Sequence, residues 1–408
     1  MIHQRSTHPL LPAIGSVRGP WAAILERAFA RLLGRWVHGS IEIRLPDGRV
    51  LSAGRGETPA VVEVHDHRFL MRILSRGELG AGESFVAGEW DSPNLVHTLR
   101  LFLRNLSEVD LESPLTKLAR LPALIRHRLR ANDRGGSRRN IHAHYDLGNE
   151  FYQLFLGDTW TYSCGLWSGA TDADAAQNAK LERICALLEL DSSDHLLEIG
   201  CGWGSLAIWA ARTRGCRVTG ITVSAEQLEL ARTRVQEAGV ADLVDIRFCD
   251  YRDLEGRFSK IASIEMIEAV GYQFLPGFFS ACAERLLPGG TLVLQTILMP
   301  DHKFETYRRG IDWTQTYIFP GSLIPSMGAL VEAWSQAGFG LESFSEIGTD
   351  YAPTLATWRE RFCARLSEVY ALGFDEPFVR LWMLYLSFSE AAFAERSLGD
   401  GHFVLRRS

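Results

Sequence analysis

The chain has 408 residues, enough for two or three domains with sizeable cores. With 46% hydrophobic and 23% charged residues and a net charge of −6, it reads as a globular protein that does not coat nucleic acid. Seven scattered cysteines without a C-x-x-C pair argue against a disulfide framework or zinc site and for a reducing cytoplasm. The N-terminus does not look like a cleaved signal, and no apolar run reaches membrane-spanning length.

Residues 20–37 place apolar and basic side chains at helical spacing, predicting an amphipathic helix packed on its own domain, with membrane-surface contact as the alternative. The period then changes to two. Ile41, Ile43 and Leu45 precede a Pro46-Asp47-Gly48 turn and Val50, which predicts a hairpin. A strand over 61–64 and helices over 68–105 complete a small α+β domain, 1–115. Within 116–139, eight Lys or Arg stand against one acid, Asp133. This basic linker is either solvated or drawn to anionic phospholipid.

From residue 140 the chain is dense in aromatics and polar groups, including His142 and His144, which lack partners at metal-ligand spacing. A helix over 175–188 precedes an alternation of strand and helix: 196–199, 217–223, 225–239, 244–250, 261–266, 276–287 and 291–298. This predicts a doubly wound parallel sheet, with ligands bound beyond the strands' carboxyl ends. Helices over 354–372 and 377–394 read as a lid, and 402–406 as a last strand.

The key stretch is LLEIGCGWG, 196–204, a strand running into Gly200, Gly202 and Gly204 and then a helix. Glycine there lets a ligand approach the backbone. A dinucleotide site would need glycine at Ser205 and an acid at the tip of the second strand, which ends in Thr222. The E-x-G-x-G-x-G spacing from Glu198, with Asp250-Tyr251 ending a later strand, is the pattern of S-adenosylmethionine-dependent methyltransferases. Tyr251 offers an aromatic face and Asp250 an acceptor for adenine.

Residues 140–408 resemble the cyclopropane-fatty-acyl-phospholipid synthases and the related mycolic-acid cyclopropane synthases. The resemblance rests on HYDLGNEFYQLFLGDTWTYSC (144–164), LLEIGCGWGSLA (196–207), GITVSAEQLELA (220–231), SIEMIEAVG (263–271), LLPGGTLVLQTI (286–297) and YIFPGSLIPS (317–326). IEIRLPDGR (41–49) and GESFVAGEWDSPNL (82–95) resemble the N-terminal domain of the phospholipid-acting members. It implies a Rossmann-like class I methyltransferase domain with a helical lid over 140–408. The implied reaction moves a methyl from S-adenosylmethionine to a cis double bond of a phospholipid acyl chain. A bound bicarbonate then takes a proton and the cyclopropane ring closes.

Carried over by motif, the bicarbonate cage falls on Cys164, Glu268, Gln295, Ile297 and Tyr351. Gln295 departs from the family's usual histidine, and Ala269 replaces another beside Glu268; glutamine can donate to an anion but cannot shuttle a proton. The cofactor residues carried over are Tyr162, Ser163, Glu198, Gly200, Gly202, Thr222, Gln227, Asp250 and Tyr251. The aromatics Phe274, Phe278, Phe279, Trp313, Tyr317 and Phe319 are candidates for core and acyl channel. The resemblance further implies a homodimer peripheral to the cytoplasmic face of the membrane, while the net charge and the ligand spacing argue against nucleic acid and metal. The altered base site keeps open a methylene-branched product, or a methyl-branched one with a reductase partner. A lipid-binding module on a catalytically dead fold is the alternative from another class.

If the basic run touches phosphate, binding of the full chain to anionic vesicles weakens as salt rises. Salt-independent binding in a co-sedimentation assay would leave that run a linker.

Overall fold

The computed structural model describes residues 20–106 and 147–407. The basic run at 116–139, His142 and His144 lie outside the described residues. The chain forms two compact units: the N-terminal region with Gly310–Ile318 and Trp358–Ser397, and the remainder from Arg130 on. The lid helices expected in the methyltransferase domain therefore group largely with the first unit. They are also interrupted, as Gly348–Ala364, Leu366–Ala371 and Glu376–Ala394.

In the first unit, β1 (Ser40–Arg44) and β2 (Val50–Gly54) form the expected hairpin. Its turn places Gly48 at φ +85°, a conformation that glycine adopts without steric cost. β3 (Ala60–Val64) runs parallel to β1, and β4 (Trp90–Asp91) closes the order β2-β1-β3-β4. Alternation buries Ile41, Ile43, Val62 and Val64. Trp313 and Tyr317 belong to this unit, where the Tyr317 hydroxyl donates to Glu83 at 2.7 Å.

The second unit is built on β5 (His195–Ile199), β6 (Arg217–Thr222), β7 (Val244–Phe248), β8 (Phe258–Ile264), β9 (Leu286–Leu298), β10 (Phe339–Glu346) and β11 (Gly399–Arg407). The order is β10-β11-β9-β8-β5-β6-β7; the five strands from β9 to β7 are parallel, and β11 is antiparallel to both its neighbours. Neighbouring residues point to opposite faces. Leu196, Val218, Ala262 and Val293 enter one core, while Leu197, Ile221, Ile261 and Leu292 enter the other. Both faces of the inner strands are covered, which is why β5 and the second half of β9 read as nearly continuous apolar runs. Phe278 and Phe279 are fully buried in the second core, so the aromatics proposed for an acyl channel do not form one wall.

β5 pairs with β6 on one side and β8 on the other, so chain order reverses beside it. The crevice beyond the ends of these strands is where such sheets bind ligands. Among the described residues, no helix is long and apolar enough to cross a membrane.

Candidate active site

β5 ends at Ile199 and turns through Gly200 (φ +82°), Gly202 (φ +53°) and Gly204 (φ +82°) into the helix Ser205–Arg214. A Cβ on Gly200 would stand 2.6 Å from Met266 Cγ, while one on Gly202 would meet nothing within 4 Å. The amides of Gly200 and Cys201 both donate to Ile221 O at 3.0 Å, tying the turn to β6. Behind it, Glu198 accepts a hydrogen bond from the Ala207 amide in the helix's first turn. Its other carboxylate oxygen is buried without a protein partner, and burial pushes its pKa up to about 8.

All nine expected cofactor residues line one cavity of about 180 Å³ at this turn. Several are fixed by their neighbours. Thr222 Oγ1 donates to Gln227 Oε1 at 2.9 Å, and buried Lys180 donates to Ser163 Oγ at 2.5 Å. Tyr162 packs on Tyr152 with ring centres 5.6 Å apart, and Tyr251 meets Phe278 edge-on at 5.3 Å. Asp250 is held by Arg252, whose Nε and Nη2 reach its two oxygens at 2.8 and 2.6 Å. A carboxylate has further lone pairs, so this pairing does not exhaust Asp250 as an acceptor. S-adenosylmethionine, which carries an ammonium and a sulfonium, fits the cavity: the unpaired Glu198 oxygen suits a cation, and the bare glycine turn admits the ligand.

The five residues expected around bicarbonate divide into two groups. Glu268 Oε1 accepts from Ile297 N at 2.7 Å and Thr296 Oγ1 at 2.8 Å. Its second oxygen is buried and unpaired, and burial with the nearby charge of Glu265 pushes its pKa up to about 7. Cys164, Gln295 and Tyr351 converge instead on Glu265, three residues earlier. Cys164 N and Gln295 Nε2 donate to Glu265 Oε1, both at 2.8 Å, and the Tyr351 hydroxyl donates to Oε2 at 2.6 Å. Cys164 contributes its amide: its thiol donates to Gly165 O at 3.3 Å, and burial pushes its pKa well above the ordinary range.

Three more residues complete this cluster, none of them singled out from sequence. Asp400 on β11 is buried beside Glu265; desolvation first, then the charge of Glu265, raises its pKa well above normal. His402 is buried and, with its pKa pushed down to about 3 by desolvation, neutral. Its Nε2 lies 3.0 Å from Gln295 Oε1. As donor in that bond, it holds the Gln295 amide nitrogen toward Glu265. Lys180 is buried, and its pKa is lowered by desolvation. Glu265 is also one of four non-glycine residues at positive φ among the described residues, at +45°. Such conformations persist where the surroundings enforce them, often at functional sites.

Residues 133–401 match the model of the mycolic acid cyclopropane synthetase family. The chain belongs to this family. It is 38% identical over 407 residues to a tuberculostearic acid methyltransferase of Mycobacterium tuberculosis, spanning 97% of this chain and 95% of that one. It is 34% identical to the cyclopropane-fatty-acyl-phospholipid synthase of Escherichia coli, covering 86% and 89%. A solved cyclopropane synthase from Mycobacterium tuberculosis superposes with a TM-score of 0.62 at 27% identity, covering 66% of this chain and 98% of its own. A mycolic acid cyclopropane synthase solved with S-adenosylhomocysteine and CTAB matches to the same extent. The fold is accordingly a Rossmann-like class I methyltransferase, and the family is S-adenosylmethionine-dependent.

Two outcomes follow for the donor cavity. Gly202→Trp fills it and forces a bulky side chain into a left-handed backbone, so calorimetry should detect no S-adenosylmethionine binding; near-normal affinity would contradict this placement. Glu198, largely protonated at pH 7, should ionise when a cation binds beside it. Binding then releases a proton, read by calorimetry in buffers of different ionisation enthalpy, and the release disappears in Glu198→Gln.

Proposed function

We propose that the protein methylates a cis double bond in an unsaturated phospholipid acyl chain and releases a methylene-branched chain, which a reductase partner saturates to a methyl branch. The observation that carries this reading is a shared wall. Glu265 and Ala269 line the donor cavity, and Glu265 is also the centre of the buried cluster of Cys164, Gln295, Tyr351 and Asp400. Methyl transfer and proton removal need such neighbouring sites.

When bound, S-adenosylmethionine supplies an electrophilic methyl group. The glycine turn and Glu198 hold the donor, while Tyr162, Ser163, Thr222, Gln227, Asp250 and Tyr251 orient it. An alkene is a weak nucleophile, so alignment with the methyl contributes more than activation of the attack. The buried cluster excludes water, which would trap the acyl cation as an alcohol. A hydride shift moves the cation to the methyl-bearing carbon, and loss of a methyl proton gives the methylene branch.

Two departures support this branched outcome: Gln295 and Ala269 stand where the resemblance places histidines. The name of the methyltransferase relative, matched over nearly the whole of both chains, points the same way. Similarity to the Escherichia coli enzyme favours ring closure as the second reading. Either substrate is a membrane lipid, which fits a homodimer acting peripherally at an anionic cytoplasmic membrane surface.

Lipids from cells expressing the chain without a reductase should contain an acyl chain one CH2 heavier, with vinylidene protons in the NMR spectrum. Cyclopropane protons instead would decide for ring closure. Unchanged lipid masses beside an active control enzyme would sink both readings.

A further inference from the structure

We infer that Glu265 is the protein's built-in base and that its carboxylate takes the place the resemblance assigns to bicarbonate. This rests on the proposed acyl methylation, and it concerns how the reaction ends. Three donors expected to hold the anion, the Cys164 amide, the Gln295 amide nitrogen and the Tyr351 hydroxyl, all terminate on Glu265. The buried Asp400 side chain adds a fourth contact. A bicarbonate among the same donors would lie against a second anion within the distance where like charges strongly oppose joint ionisation. Bicarbonate therefore does not fit, and no step is assigned to it.

The backbone supports this placement. Glu265 sits just past β8 at φ +45°, with its amide donating to Gln295 O at 2.8 Å. A residue other than glycine is strained there, and the conformation aims its carboxylate into the cluster. The charged and titratable groups around it are Asp400, Glu268, Lys180, Tyr351 and Cys164, with His402 acting through Gln295. The Cys164 amide, the Gln295 amide nitrogen and the Tyr351 hydroxyl all reach Glu265 as donors. Glu265 also lines the donor cavity, which places a proton acceptor beside the incoming methyl.

The step balances without another reactant. A C–H bond of the transferred methyl breaks, and its electron pair closes a double bond to the adjacent cationic carbon. The proton goes to a Glu265 oxygen. The positive charge that entered with the sulfonium is thus neutralised as a carboxylic acid, which later loses its proton to solvent.

The test compares wild type, Glu265→Gln and Glu265→Gly as full chains. Glycine is at home at φ +45°, so Glu265→Gly keeps the backbone while opening the anion site. Turnover of unsaturated phospholipid vesicles is read in carbon-dioxide-free buffer with and without added bicarbonate. The carbon-13 NMR line of labelled bicarbonate reports binding independently, and calorimetry with S-adenosylmethionine checks the donor cavity. Wild type should neither respond to bicarbonate nor broaden its line. Glu265→Gln should lose roughly a hundredfold or more in turnover with donor binding retained. Glu265→Gly should lose as much, recover about tenfold with bicarbonate, and broaden its line. The inference is overturned if wild type binds labelled bicarbonate or depends on it for turnover. It is also overturned if Glu265→Gln stays within about threefold of wild type. Failure of wild type to methylate any vesicle would count against the acyl-methylation reading alone, since the NMR comparison still decides who holds the anion site.

Discussion

Glu265 is half-buried on the wall of the donor cavity, and its side-chain contacts come from four separate parts of the second unit. The Cys164 amide comes from the loop before the helix Ala173–Leu187, Gln295 from β9, Tyr351 from the helix Gly348–Ala364, and Asp400 from β11. Each of these contacts ties a different element to the same side chain. The cluster therefore fixes the ends of β8, β9 and β11 relative to one another. His402 extends the constraint by orienting Gln295 through a neutral imidazole.

The sheet divides the chemistry between its strands. β5 and its glycine turn line the cavity proposed for the donor, and β6 and the end of β7 complete it through Thr222, Asp250 and Tyr251. β8 carries the proton acceptor on the other side of β5, past the point where strand order reverses. The two halves meet at Glu265, Met266 and Ala269, which line the donor cavity. Glu268 lies one turn further along, with its carboxylate on the Ile297 amide, and its raised pKa keeps it from being a permanent second charge at pH 7. This arrangement places the Glu265 carboxylate, held by its donors, on the wall of the donor cavity.

The donor side was legible because glycine spacing and apolar runs are local signals. Gly200 and Gly202 form the expected turn, a Cβ at Gly202 would meet nothing within 4 Å, and every expected cofactor residue faces one cavity. The Glu265 cluster is not legible in the sequence because its geometry is not local. Motif carry-over selected Glu268, whereas a left-handed backbone at Glu265 turns the earlier carboxylate into the donors, and no residue type announces that conformation. Asp400 and His402 looked like ordinary last-strand residues, since their meaning depends on pairing β11 with β9. β10 escaped detection for a different reason: it is an edge strand with mostly exposed side chains, so it lacks the apolar run that marks the inner strands.

The most direct measurement of this account is a crystal structure of the full chain with S-adenosylhomocysteine, grown in bicarbonate buffer. The account predicts a Glu265 carboxylate seated on the Cys164 amide, Gln295 and Tyr351, with no separate planar anion among them. A trigonal anion in that place, with the Glu265 side chain turned away, would contradict it.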